Sequence, residues 1–416
     1  MRHPRLAALV CLFGAVAVRA EDALQVRGHV DAFAAVESVL PTDSTVNPGN
    51  VLHLPLLLGA LELRPSLTVD YGGWLVLSAR PRARLSAGLA RTDGAWDGGR
   101  GAASVDVAEL SLTWRLADWL SFTWGLQNFQ WGPAELASPS NRLFHETGLL
   151  KDPLYFVPGH HLLRVNASAG KALSVVLLAE LTPPPDPFVF GETFGPRGQA
   201  KLEWSEATGR GLIGVTGGIG TRQWPFFGEY AQWQITDGLS VYADASHSAQ
   251  RLAWYPELGD AGFSFVHRES TDWKRLYTMA VGGLRYTFES GADVRAEVLF
   301  NDAGWTHDEL KLAAAYALAS GQGGPLFTPG LEYLGRTVVY ASLRLPELPP
   351  RKHLTVMARY ALSCTDLSGA AFLTASLDAT DSMVIFVSAL ATHGPSWAEL
   401  SRLARASFFL GVVYSW

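Results

Sequence analysis

The last eleven residues alternate with a period of two. Ala406, Phe408, Leu410, Val412, Tyr414 and Trp416 fall on one face of an extended chain, and Ser407, Phe409, Gly411, Val413 and Ser415 on the other. Successive strand side chains point to opposite faces, so this segment turns an apolar side one way and a smaller, more polar side the other. The same rhythm returns along the chain. Val294, Ala296, Val298 and Phe300 oppose Asp293, Arg295 and Glu297, and Leu354, Val356, Ala358, Tyr360 and Leu362 alternate with His353, Thr355 and Arg359. Leu120, Phe122, Trp124 and Leu126 oppose Ser121, Thr123, Gly125 and Gln127. Near the start, Val26, Val30, Ala32, Ala34 and Val36 oppose Gln25, Arg27, His29, Asp31 and Glu37. A chain built from such segments buries its apolar side in a sandwich or shows it to lipid from a barrel.

Connection lengths favour the barrel. Short connections fall near 117–118, 169–171, 206–210, 236–238, 290–291, 346–352 and 379–381. Long ones fall at 38–58, 92–102, 127–159, 182–197, 249–273, 301–333 and 392–405, while 221–223 and 363–369 are short exceptions on the long side. Short periplasmic turns alternating with longer external loops are what an outer-membrane barrel shows. The expected fold is therefore all-β: a transmembrane antiparallel up-and-down barrel of about 18 strands, with 16 as the alternative count. The expected strands lie near 24–37, 59–79, 82–91, 103–115, 119–127, 160–168, 172–181, 198–206, 211–220, 224–235, 239–248, 274–288, 292–300, 334–345, 353–362, 370–378, 382–391 and 406–416. An even count puts both termini on the periplasmic side. Asp308 to Ser320 is expected to form a helix inside a long loop, across the barrel mouth, because it holds good helix formers and acids in its first turn.

The N-terminus fits export. Arg2, His3 and Arg5 precede an apolar run from Leu6 to Val18, closed by Val18-Arg19-Ala20. Residues 1–20 read as a signal peptide and 21–416 as one barrel domain. No segment of 18 uninterrupted apolar residues follows, so no transmembrane helix is expected. Removing the three arginines of residues 1–20 from 33 basic residues leaves 30 against 39 acids, which disfavours a nucleic-acid partner. Cys364 is the only cysteine of 21–416, so no internal disulfide can form.

These features together resemble the single-chain bacterial porin-like barrels of the outer membrane. The end Gly411-Val412-Val413-Tyr414-Ser415-Trp416 is similar to the C-terminal signal that such proteins present to the barrel-assembly machinery, with Gly411, Tyr414 and Trp416 at the matching places. It departs from the pattern at Phe409, where a polar residue is usual, and in ending on Trp rather than Phe. The stretch from Gly125 (GLQNFQWGPAELASPSN) is similar to a Gln and Trp-Gly segment after an early strand in several porin-like families. The resemblance implies outer-membrane lipid and the assembly machinery as partners, and passage of a polar solute of unknown identity.

The phase of the alternation places charges inward. The cations are Arg27, Arg64, Arg82, Arg84, Arg115, Arg164, Arg285, Arg295, Arg344, Arg359 and Lys201; the acids are Asp31, Glu62, Glu109, Glu203, Asp244, Asp293 and Glu297. Two readings stand open: an anion-preferring constriction, because a narrow passage focuses field lines, or a wall laced by ion pairs. The loop 127–159, with Trp131, Glu135, Arg142 and His145, is the candidate constriction loop by the same resemblance, and a surface lid is its other reading. His160-His161 cannot serve one metal ion from a regular strand, since the two point to opposite faces. No nucleophile and base fall together, so no enzyme and no cofactor are expected. The functional expectation is solute passage across the outer membrane. A polysaccharide export or surface-assembly barrel, or a structural barrel closed by its loops, is the alternative.

Overall fold

A computed structural model describes residues 24–144, 148–149, 157–184, 188–220, 223–249, 251, 253–268, 275–348 and 353–416. The expected signal peptide lies outside them. β1 (Leu24–Pro41), β2 (Pro55–Tyr71), β3 (Leu75–Thr92), β4 (Ala95–Ala117) and β5 (Leu120–Gln127) precede a long loop. β6 (His160–Ala169), β7 (Leu173–Glu180), β8 (Arg197–Ser205), β9 (Gly211–Gly220), β10 (Gln223–Gln234) and β11 (Leu239–Ser248) follow it. A separate hairpin, β12 (Trp254–Gly259) with β13 (Gly262–His267), comes next. β14 (Tyr277–Thr287), β15 (Asp293–Asn301), helix α1 (His307–Tyr316), β16 (Thr337–Leu345), β17 (Leu354–Ser363), β18 (Ser368–Thr380), β19 (Met383–His393) and β20 (Ala404–Ser415) complete the chain.

Leaving out β12 and β13, 18 strands form one antiparallel sheet, with β11 paired to β14. β1 closes the ring on β20, with Asp31 opposite Ser415 and Ala35 opposite Gly411. The closed ring satisfies every strand edge internally, which a spanning sheet requires. Its outer face is apolar, with Leu61, Leu85, Leu177, Val298, Leu373 and Leu410 all exposed. Tyr71, Trp74, Trp119, Trp204, Trp233, Tyr286, Phe288, Tyr414 and Trp416 gather at the strand ends beside the short turns. An apolar band edged by an aromatic girdle is the exterior of a transmembrane barrel.

Two expectations fail in the first third of the barrel. The segment 59–79 is not one strand. The chain turns at Gly72-Gly73-Trp74, where Gly72 and Gly73 take φ of 59° and 74°, and β3 then runs through Arg80-Pro81 at a bulge. A glycine pair that reverses the chain had been hidden inside one continuous alternation. The expected long loop 92–102 is likewise a tight turn. Asp93 and Gly94 take φ of 50° and 81°, a two-residue hairpin geometry that Asp-Gly favours, and β3 and β4 continue on either side.

The external side is more built than the sequence implies. Loop 249–273 contains the β12–β13 hairpin rather than irregular chain. The helix is shorter than Asp308–Ser320, covering His307–Tyr316. Thr306 caps it in a reciprocal box with Glu309. These loops share one apolar core in which Val46, Tyr255, Phe265, Trp305, Leu310 and Leu326 are buried. With Trp397 and Leu403 of loop 392–405 packed against this core, four external loops meet as a packed cap.

Candidate functional site

The loop that follows β5 folds inward and docks on the barrel wall. Leu136, Ala137 and Leu149 pack against Val281, Leu299, Val338, Tyr340, Ala361 and Ala370, apolar residues that project inward from β14 to β18. Trp131, Leu143 and Phe144 pack against Leu162, Val176, Leu178 and Tyr230 on β6, β7 and β10. The loop therefore lines the sector from β6 round to β18 and leaves β20 to β4 facing it.

Buried carboxylates fix its path. Glu297 on β15 accepts the backbone N–H of Glu135 at 2.8 Å and of Leu136 at 2.7 Å, and the Tyr242 hydroxyl at 2.6 Å. Asp244 on β11 accepts the Ser138 hydroxyl at 2.9 Å and the Ser140 N–H at 2.7 Å. Gln199 and Thr216 donate to the Ser140 carbonyl at 3.0 and 3.1 Å. Each charge-assisted bond contributes about 1.5–3 kcal/mol, and leaving either carboxylate unpaired in so dry a place costs more.

Glu135 then bridges loop and wall. Its carboxylate lies 3.3 Å from Arg295 Nε and 3.6 Å from Arg359 Nε, and accepts the Tyr340 hydroxyl at 3.0 Å. The guanidinium of Arg295 also lies 5.5 Å from the Tyr242 ring centre and that of Arg359 5.6 Å from Phe372, an arrangement that holds the charge flat against the wall.

The facing wall is built differently. Glu62 on β2 is ringed by Arg64 at 2.7 Å, Arg84 at 3.4 Å and Arg82 at 4.0 Å. Its side chain is 1% exposed, whereas those of Arg64 and Arg84 are 19% and 32% exposed. Arg82 also reaches Asp106 at 3.1 Å, Arg80 reaches Glu109 at 3.4 Å, and Arg64 stacks 4.1 Å from the Phe33 ring. Here the acid lies behind and the cations face the lumen.

The other expected lumen charges are scattered. Arg27 bonds Gln25 near the start of β1, Arg115 donates to the Gly73 carbonyl at the turn, and Arg285 pairs with Asp293 at the end beside the short turns. Arg164 contacts Thr123 and stacks 4.5 Å from Phe129. In the inner loop Trp131 is buried, and Arg142 is half-buried with its guanidinium 5.6 Å from the Phe226 ring. Burial lowers the Arg142 pKa and raises that of Glu332, its electrostatic partner, to about 7. His145 lies outside the described residues. His160 faces inward onto Glu180 at 2.5 Å, while His161 packs edge-on against Trp124. At the closing strand a side chain on Gly411 would strike the Phe386 ring, which explains the glycine. Tyr414 and Trp416 stand outward with ring centres 5.7 Å apart.

No family model matches the chain, and no curated protein does. Solved structures do. OccK8 (OprE) of Pseudomonas aeruginosa is 10% identical over 94% of this chain and 98% of that one, with a TM-score of 0.57. OccAB1 of Acinetobacter baumannii is 9% identical over 94% and 96%, with a TM-score of 0.56. OprD of Pseudomonas aeruginosa is 10% identical over 94% and 95%, with a TM-score of 0.53. The fold is that of an outer-membrane channel. Within this channel fold, Tyr242, Tyr340, Gln199 and Thr216 hold the inner loop, and sequence reading had passed over them. Their inward phase on β11, β16, β8 and β9 was a usable signal. So were the inward apolar residues Val281, Leu299 and Val338, which need a dry cover that only a folded-in loop supplies.

Proposed function

We propose that the protein is a channel of the bacterial outer membrane that passes a small or oligomeric polar solute and prefers anions. Removal of residues 1–20 on export and folding by the barrel-assembly machinery belong to the same reading. The observation that carries it is the arrangement around Glu62. Three arginines surround one carboxylate that is 1% exposed, so the wall opposite the inner loop offers cations to the lumen. The inner loop narrows the remaining space, and its carboxylates Glu135 and those of the wall beneath it are engaged by arginines, hydroxyls and backbone N–H groups. In such a passage a few exposed cations set selectivity, because the low-dielectric wall concentrates their field.

The test is the reversal potential of the purified protein in planar bilayers under a salt gradient. Exchanging Arg64 and Arg84 for Gln should move selectivity toward cations, most at low salt where the Debye length is about 30 Å. Unchanged selectivity in a folded double variant would refute the anion preference. A second reading, a barrel closed by its loops, is favoured by the apolar core of the external cap. It requires that wild-type protein shows no conductance, and that conductance appears once 302–333 is shortened.

A further inference from the structure

One acid lies on the wrong face of the barrel for lipid. Glu229 on β10 sits between inward-facing Gly228 and Tyr230, and its outward neighbours Phe227 and Trp233 are exposed. Among the described residues of the membrane-crossing segments it is the only carboxylate that faces outward. His247 of β11 lies beside it, with Nε2 2.9 Å from Glu229 Oε1 and Nδ1 2.8 Å from Thr278 Oγ1 of β14. The Phe227 ring stacks on the imidazole at 6.1 Å. The pair is far from hidden: the Glu229 side chain is 42% exposed and that of His247 25%.

Hydrocarbon cannot solvate a carboxylate or an imidazolium, and an outward acid in a membrane strand weakens a barrel that nothing covers. We propose that this patch is an interface between two copies of the chain. It carries an acid and a base side by side, so its own duplicate is the partner whose charge complements it. Below the pair the wall is flat. Ala231, Ala243 and Gly282 lie across three neighbouring strands in one row, with Ala245 and Ala280 in the next. Small residues let two walls approach closely enough for the polar groups to meet, as they do between membrane helices. Two copies in one membrane share their orientation, so the symmetry axis runs along the membrane normal and each barrel presents the same face.

Cysteine cross-linking in native outer membranes tests this. In a Cys364→Ser background, Ala243→Cys should give a disulfide-linked dimer, and Ala34→Cys, on the far side of the barrel on β1, should give at least tenfold less. Glu229→Leu combined with His247→Leu should keep heat-modifiable folding yet lose the Ala243→Cys cross-link and elute as a monomer by light scattering in mild detergent. Equal cross-linking on both walls would overturn the proposal, since it reports random collision. So would a dimer that persists in the leucine variant, or a monomeric wild-type protein extracted gently from membranes. Channel conductance is a separate readout and does not enter this test.

Discussion

Asp244 and Ser140 are joined by a 2.7 Å hydrogen bond across 104 residues of sequence, a wall carboxylate holding the backbone of an inward-folded loop. Together with Glu297 it converts an otherwise unsatisfiable buried turn into a docked one. Backbone N–H groups that leave water need such acceptors.

Removing one of these anchors should loosen the loop without unfolding the barrel. Asp244→Ala deletes acceptors for the Ser138 hydroxyl and the Ser140 N–H, and a buried N–H left without an acceptor costs about 1–3 kcal/mol. Single-channel recording should show larger and noisier conductance, with normal heat-modifiability in gels. Conductance identical to wild type would mean that the loop does not bound the pathway.

Charge reversal at Arg295 and Arg359 should act through the loop as well as on selectivity. Both guanidinium groups meet Glu135, at 3.3 and 3.6 Å. With Glu at both positions four carboxylates share one site, since Arg295 also lies 3.4 Å from Glu297, and like charges so close cannot all stay ionised and packed. The double variant should conduct more than wild type, and adding Glu135→Arg should bring conductance back down. A shift of selectivity with conductance unchanged and no rescue would show that Glu135 does not hold the loop.

The closing strand should be sensitive at its last residue. Trp416 exchanges both backbone hydrogen bonds with Val30, at 3.0 and 3.1 Å, so its main chain helps seal β20 to β1. Deleting Trp416, or exchanging Tyr414 and Trp416 for Asp, should leave an exported chain that fails to become heat-modifiable. Normal outer-membrane yield of the deletion would rule this out.

The external cap should tighten as pH falls toward 5. Glu399 is half-buried between loops, accepting the N–H groups of Leu334 at 2.5 Å and Gly335 at 3.0 Å. Burial pushes its pKa up to about 7, against the backbone N–H groups of Gly335 and Leu334 and the charge of Arg402, which lower it; Asp366 adds a smaller upward push. A folded pKa above the unfolded value means that the native cap holds its proton more tightly. Its contribution to stability is then fully present below about 4.5 and lost as pH rises through about 7. Limited proteolysis of 301–333 and 392–405 should therefore be slower at pH 5 than at pH 8, and Glu399→Gln should flatten that difference. Equal rates at the two pH values would refute the coupling.

Much of the barrel was legible because a transmembrane strand has to write its two environments into alternate residues. The outward row of β20 and the inward arginines of β15 and β17 follow from period alone. The turn at Gly72-Gly73 was missed because Leu61 to Tyr71 and Leu75 onward keep one apolar phase, so period could not show where the chain reverses. Asp93-Gly94 carried a hairpin signal that loop-length reasoning had outweighed.

The sequence by itself therefore determined the closed antiparallel sheet, its lipid-facing side, and which charges turn inward, since these depend on residues one or two positions apart. The tertiary structure alone decided which inward charges meet. Glu135 finds Arg295 and Arg359 only because ring closure brings β15 and β17 round one axis to face the loop that follows β5. A local pattern holds no record of partners that distant, and the low-dielectric interior makes their pairing obligatory once they are there.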